Sequence, residues 1–269
     1  MSVRAAAVAG MFYPEAPTLL ATQVRAYLDR ASRPATGAVP PKGLIVPHAG
    51  YIYSGGIAAA AYTRLASAAA AIRRVVLLGP AHRVPLQGLA VPSVDALATP
   101  LGNVLVDRDA VASALTLAQV CESDAAHELE HSLEVQLPFL QTVLRDFRVV
   151  PFAVGAATPA QVAEVLELLW GGPETLIVIS SDLSHYHRYA EAREIDATTS
   201  SKVLALSPTL VSEQACGSVP INGFLTVARR QALRPELLDL RNSGDTAGDR
   251  SRVVGYGSFA FNEPAHERG

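Results

Sequence analysis

The chain of 269 residues is 49% hydrophobic and 17% charged, a balance that excludes a disordered chain and suits one large α/β domain or two small ones. A net charge of −3 with no basic cluster argues against a nucleic-acid partner. No apolar run approaches the roughly 20 residues that span a bilayer, so no membrane segment is expected.

In chain order, the opening stretch (Met1 to Ala7) reaches Tyr13-Pro14 too soon for a signal-peptide apolar region. The two cysteines, Cys121 and Cys216, lack metal-type spacing, so reduced thiols and a cytoplasmic setting are expected. Residues 16–31 are predicted as a helix, followed by a Pro/Ala/Gly loop over 32–41. An alanine-rich helix is expected over 55–71 and short strands over 88–92 and 104–107. Helices follow over 108–120 and 125–144, a strand over 147–154 and a helix over 159–170. Helices over 190–206 and 222–231 precede a last strand over 253–261. Strands alternating with helices predict a single three-layer α/β/α domain over residues 1–269, with a largely parallel central sheet.

Three apolar runs each end in a histidine. Gly43 to Pro47 leads into His48, Val75 to Ala81 into His82, and Thr175 to Asp182 into His185. Runs of Val, Ile and Leu without polar alternation read as strands buried on both faces of a parallel sheet. Such sheets bind ligands at the carboxyl ends of their strands, which gathers these imidazoles and Asp182 along one edge. His48 and His82 are expected on adjacent strands ~4.8 Å apart, close enough to share one metal ion. Tyr51 and Tyr53, beside His48 in a glycine-rich turn, are candidates to bind substrate. Asp182 and His185, three apart, suit general acid–base work with the carboxylate orienting the imidazole; helix capping by Asp182 or Ser181 is the plainer alternative.

Asn242-Ser243-Gly244-Asp245 reads as an ordinary turn. Two histidines without a carboxylate nevertheless leave room for Asp245 as third ligand, in the two-histidine, one-carboxylate arrangement of non-haem Fe(II). His127-Glu128-Leu129-Glu130-His131 matches the H-E-x-x-H pattern of zinc metallopeptidases, a distant alternative, since here it opens a polar helix start rather than lying inside an apolar helix. Cys216 reads as a buried structural thiol.

The ordered set of motifs resembles the Memo family, whose bacterial and archaeal members are often called AmmeMemoRadiSam system protein B. The matching pieces include Phe12-Tyr13-Pro14, Pro47-His48-Ala49-Gly50-Tyr51, Leu78-Gly79-Pro80-Ala81-His82 and the run from Glu130-His131-Ser132 to Leu140. Ser180-Ser181-Asp182-Leu183-Ser184-His185-Tyr186, Ser243-Gly244-Asp245 and Val253-Val254-Gly255-Tyr256 complete the set. The resemblance implies a fold similar to the class III extradiol dioxygenases, which open catechol rings with Fe(II) and O₂. It also implies a metal pocket that eukaryotic relatives build from two histidines and a cysteine. His48 and His82 take the histidine places, and the cysteine place falls at or within a residue or two of Asp245. A carboxylate there favours Fe(II) over Cu(I), with copper or zinc as alternatives. Asp182, His185 and His131 match residues lining the same pocket, so His185, Asp182 and His131 are the expected catalytic group. The expected function is a metal-binding, dioxygenase-like oxidoreductase acting on a small catechol-like substrate. The alternative is a protein that binds metal, a peptide or a partner without turnover.

Overall fold

The computed structural model describes residues 1–32 and 39–264, so residues 33–38 of the loop expected over 32–41 lie outside the described residues. The chain opens with β1 (Val3–Arg4) and α1 (Pro17–Arg30), then β2 (Gly43–Val46), α2 (Tyr51–Tyr62) and β3 (Arg74–Pro80). β4 (Leu89–Val91), β5 (Ala96–Thr99), β6 (Gly102–Leu105), α3 (Arg108–Ala114), β7 (Val120–Glu122) and α4 (Asp124–Glu128) follow. The second half runs α5 (Leu137–Val143), β8 (Arg148–Val154), α6 (Pro159–Leu168), β9 (Thr175–Ser180), β10 (His185–His187) and α7 (Tyr189–Leu204). It closes with α8 (Ser218–Arg230), β11 (Arg234–Asn242) and β12 (Val253–Asn262).

The main sheet has nine strands in the order β10-β12-β2-β9-β3-β8-β4-β7, with β11 also paired to β12. At its centre β2, β9, β3 and β8 are parallel, and every residue of β2 and β9 is buried, as their unbroken apolar runs demand. The chain moves one way across the sheet from β2 through α2 to β3, and the other way from β8 through α6 to β9. Right-handed crossovers in opposite directions put α2 and α6 on opposite faces, which makes the three layers. α1, α2 and α5 pack together as one helical group and α6 with α8 as another. A small three-stranded sheet, β1-β5-β6, stands apart.

Three departures from the sequence expectations bear on the site. First, β9 inserts between β2 and β3, so the strands carrying His48 and His82 are not neighbours. At ~4.8 Å per strand they run nearly 10 Å apart, and it is the loops beyond the strand ends that bring the rings together. Second, the helix expected over 125–144 is broken. α4 stops at Glu128, residues 129–133 form a turn, a 3-10 turn spans Glu134–Gln136, and α5 restarts at Leu137 with Pro138 in its first turn. Third, β11 is an extra strand. Its Arg, Pro, Glu and Asp residues conceal it in the sequence, and they suit the sheet margin, where one side of the strand stays unpaired.

Candidate metal centre

The ends of β2 and β3 and the broken helix each deliver one imidazole. A ring nitrogen from each of His48, His82 and His131 lies within 4.8 Å of the others, and the ring centroids are 4.8–5.4 Å apart. His131 reaches this place because the 129–133 turn lies against the end of β3. Gly79 permits that approach: a Cβ there would meet Ser132 Oγ at 2.6 Å, and Ser132 Oγ donates instead to the Pro80 carbonyl at 3.1 Å.

Hydrogen bonds fix which nitrogen His48 and His82 offer. Ser180 Oγ donates its single proton to the Ser132 carbonyl (2.6 Å) and accepts from Gln136 Nε2 (2.8 Å). Toward His48 Nδ1, 3.0 Å away, it can only accept, so Nδ1 carries the proton and Nε2 keeps its lone pair, which faces the Cys216 thiol at 3.3 Å. His82 Nδ1 donates to the buried Glu130 carboxylate at 2.9 Å, which again frees Nε2. Outer hydrogen bonds of this kind orient ligating histidines and raise their basicity. His131 makes no ring hydrogen bond among the described residues. Its buried Nδ1 has no partner and stands 3.5 Å from Glu130 Oε1.

The electrostatics agree. Burial, reinforced by the neighbouring imidazoles, pushes the His48 pKa well below its ordinary value, and burial pulls His131 down to about 4. Both are therefore neutral at pH 7, the form that ligates metal. Burial alone would raise Glu130, but hydrogen bonds from the His82 ring and backbone N–H and from the Ser132 N–H bring it down to about 2. It stands as a carboxylate behind His82. A buried imidazole nitrogen without a partner, two further imidazoles whose Nδ1 atoms are hydrogen-bonded away and a supporting carboxylate fit a transition-metal ion.

The three rings line a cavity of about 1160 Å³ that also holds Phe12, Tyr53, Asp182, His185, Tyr186 and Cys216. His185 Nδ1 donates to the Leu183 carbonyl at 2.8 Å, so its Nε2 is unprotonated; burial lowers its pKa. Asp182 has a different partner from the one expected. Its carboxylate accepts the His48 N–H at 2.7 Å and the Ala49 N–H, so it shapes the His48 turn and is not bonded to His185. Burial raises its pKa to about 7 against those two hydrogen bonds.

Asp245 does not join the triad. It is exposed, with one carboxylate oxygen accepting from Tyr189 Oη (2.5 Å) and the other from the Asn242 N–H (3.1 Å), in a capping box that closes the turn. Tyr51 is buried with its hydroxyl donated to the Val135 carbonyl (2.7 Å), whereas Tyr53 does line the cavity. The nearby Gly55 serves helix packing, since a Cβ there would meet the Tyr27 ring at 2.6 Å. His127 stands outside the triad too: its buried Nε2 donates to the Ala90 carbonyl at 2.9 Å. The H-E-x-x-H spacing therefore does not form a shared metal site among the described residues.

Cys216 is the residue that sequence reasoning set aside. Its Sγ lies 3.3 Å from His48 Nε2 on the cavity wall, and burial pushes the thiol pKa up to about 12. No spacing signal could have shown this, because the Cys216-Gly217 turn reaches the site by packing against Ser181 and Asp182, just past the end of β9, and against His48. Tyr186 is another such residue. It holds φ of +63° without being glycine, a left-handed conformation that costs of order 1 kcal/mol or more, and lines the cavity as a residue 63% exposed. The N-terminal Phe12-Tyr13 pair is tied in by Glu134, which accepts from Tyr13 Oη (2.5 Å), Arg4 and two backbone N–H groups, and the Phe12 ring sits 4.8 Å from His131.

Fold and site together define an α/β protein with a candidate metal centre of three histidines at the carboxyl ends of a parallel sheet. The model of the family described as Memo-like protein matches residues 4–260, and the chain belongs to that family. Relatives include a MEMO1 family protein of Ignicoccus hospitalis, 37% identical, with the match covering 98% of this chain and all of that one. One from Methanosarcina barkeri is 37% identical over 96% and 99% of the two chains, and one from Aquifex aeolicus 36% over 97% and 100%.

Proposed function

We propose that this protein binds one transition-metal ion through His48, His82 and His131, and that the ion, Fe(II) first among the candidates, supports dioxygenase-like oxidation of a small chelating substrate. The observation that carries the metal reading is the convergence of three imidazoles, one ring nitrogen of each within 4.8 Å of the others, with Nδ1 of His48 and of His82 engaged elsewhere. Imidazole suits iron, copper and zinc alike, and a three-histidine face leaves positions open for ligand. When bound, the ion would supply Lewis acidity and, if redox-active, electron transfer toward dioxygen.

The chain's own residues do the rest. Glu130 orients His82, Ser180 orients His48, and Asp182 holds the His48 turn from behind. His185, unprotonated at Nε2 on the same cavity wall, is the group placed to take a proton from a substrate hydroxyl. The absence of Asp245 from the centre removes the carboxylate that a two-histidine iron face would need. His131 takes its place as a neutral donor.

Protein purified without air and loaded with Fe(II) is expected to hold one equivalent of metal and to consume oxygen with some member of a catechol panel. His185→Ala is expected to keep the metal and lose the turnover. Well-folded protein that retains no divalent metal under any loading condition contradicts the reading. Metal retained with no oxygen consumption across the panel favours metal binding without turnover.

A further inference from the structure

The cavity walls carry two guanidinium groups without an ionic partner. Arg83 follows His82 directly and makes no hydrogen bond or ion pair among the described residues. Its charge is near enough to His131 to oppose protonation of that ring. Arg252 likewise makes no ion pair among the described residues, and its guanidinium lies 4.8 Å over the ring of Tyr186.

The acids on the same wall do not neutralise the two cations. Asp249 has one carboxylate oxygen within its own turn, accepting from the Ser251 N–H (2.7 Å) and Oγ (2.5 Å), with a further hydrogen bond from the Arg252 backbone. Asp182 lies beneath the His48 turn. Glu213, which accepts from Ser212 Oγ at 3.1 Å, also borders a separate depression with His187 and Glu194. Unpaired guanidinium forks match the geometry of a carboxylate bidentately. The Arg252 guanidinium rests on the exposed Tyr186 ring, which holds that cation at the cavity wall.

We propose that the ligand of this cavity is a small chelator bearing a carboxylate. The chelating oxygens face the histidine triad, and Arg83 and Arg252 receive the carboxylate. This rests on the metal reading of the triad, and it adds a charge requirement that the triad itself does not impose. The acid is preferred over its neutral analogue because two guanidiniums are otherwise left without a partner at the site.

The test uses the full chain loaded with metal under anaerobic conditions, its metal content measured before each titration. Binding of 3,4-dihydroxybenzoate is compared with that of 3,4-dihydroxybenzamide, which keeps the chelating hydroxyls and ring but lacks the charge. The acid is expected to bind roughly 10- to 100-fold more tightly, the range of a charge-assisted hydrogen-bond pair. In the Arg83→Gln, Arg252→Gln double variant the preference is expected to fall within about twofold, with metal content unchanged. Equal affinity of acid and amide, failure of both to bind the loaded protein, or an undiminished preference in the double variant overturns the charge requirement and leaves the metal reading intact. Failure to retain metal overturns the metal reading, and the inference with it.

Discussion

His127 and His131 lie four residues apart and meet opposite fates. His127 faces a small apolar cluster of Ala90, Ala126 and Ala153, and its Nε2 proton is held by the Ala90 carbonyl. His131, beyond the end of α4, stands on the cavity wall with a buried nitrogen that no protein group satisfies. Burial is similar in kind at both sites and pulls both pKa values to about 4, so desolvation does not separate them. What separates them is whether the protein supplies a hydrogen-bond partner. A satisfied imidazole is part of the scaffold, and one left without a hydrogen-bond partner beside two others is held ready for a ligand.

The largest effect is expected on the His131 side of that contrast. His82→Ala or His131→Ala should weaken metal affinity by more than about 100-fold, beyond the usual loss when only an outer partner is removed. Isothermal titration against the wild type checks this, with circular dichroism to confirm the fold.

On the His127 side the signature is acid sensitivity without a metal phenotype. Burial depresses the folded-state pKa of His127 to about 4, against roughly 6.5 unfolded. Between those values the unfolded chain binds a proton that the fold refuses. Stability is therefore full above about pH 6.5 and falls as the pH drops toward 4, by up to roughly 3 kcal/mol. His127→Gln, which keeps a donor for the Ala90 carbonyl, should remove that share of the pH dependence and leave metal affinity unchanged. Denaturant melts at pH 7 and 4.5 would read it. An unaltered pH slope would show that His127 is protonated in the fold.

Glu130 sharpens the comparison from behind the metal face. Glu130→Gln still fills the space but loses the charge that His82 Nδ1 donates to. A loss of about 10- to 100-fold in metal affinity is expected, as for other outer partners of ligating histidines. An unchanged affinity would reduce Glu130 to a turn-former.

Asp245 should give the smallest effect. Asp245→Asn keeps an acceptor for Tyr189, so metal affinity should stay within twofold and stability should shift by about 0.5–1 kcal/mol. A collapse of metal binding would restore the carboxylate to the centre.

The contrast also shows what was legible from residues alone. β2, β3, β8, β9 and β12 were written plainly as apolar runs, and the histidines closing β2 and β3 could be placed at the strand ends from those runs. The insertion of β9 between β2 and β3 was not legible, because strand order is set by crossover directions that leave no local trace. Residues 125–144 read as one helix because their apolar residues recur at helical spacing, yet the chain breaks at Glu130, whose carboxylate turns back to the His82 and Ser132 N–H groups. Asp182 and His185 were correctly placed at one edge of the sheet and wrongly paired with each other. A spacing of three fixes proximity along the chain, and hydrogen bonds to backbone decided the partners. Cys216 and Tyr186 belong to turns whose place at the cavity depends on packing across the sheet.

The central claim is that three histidines, without Asp245 or His127, hold one ion. A crystal structure of the anaerobically metal-loaded protein tests it most directly. The account predicts a single ion with ring nitrogens of His48, His82 and His131 each about 2.0–2.3 Å away. An ion ligated by Asp245, or by His127 together with His131, would contradict it.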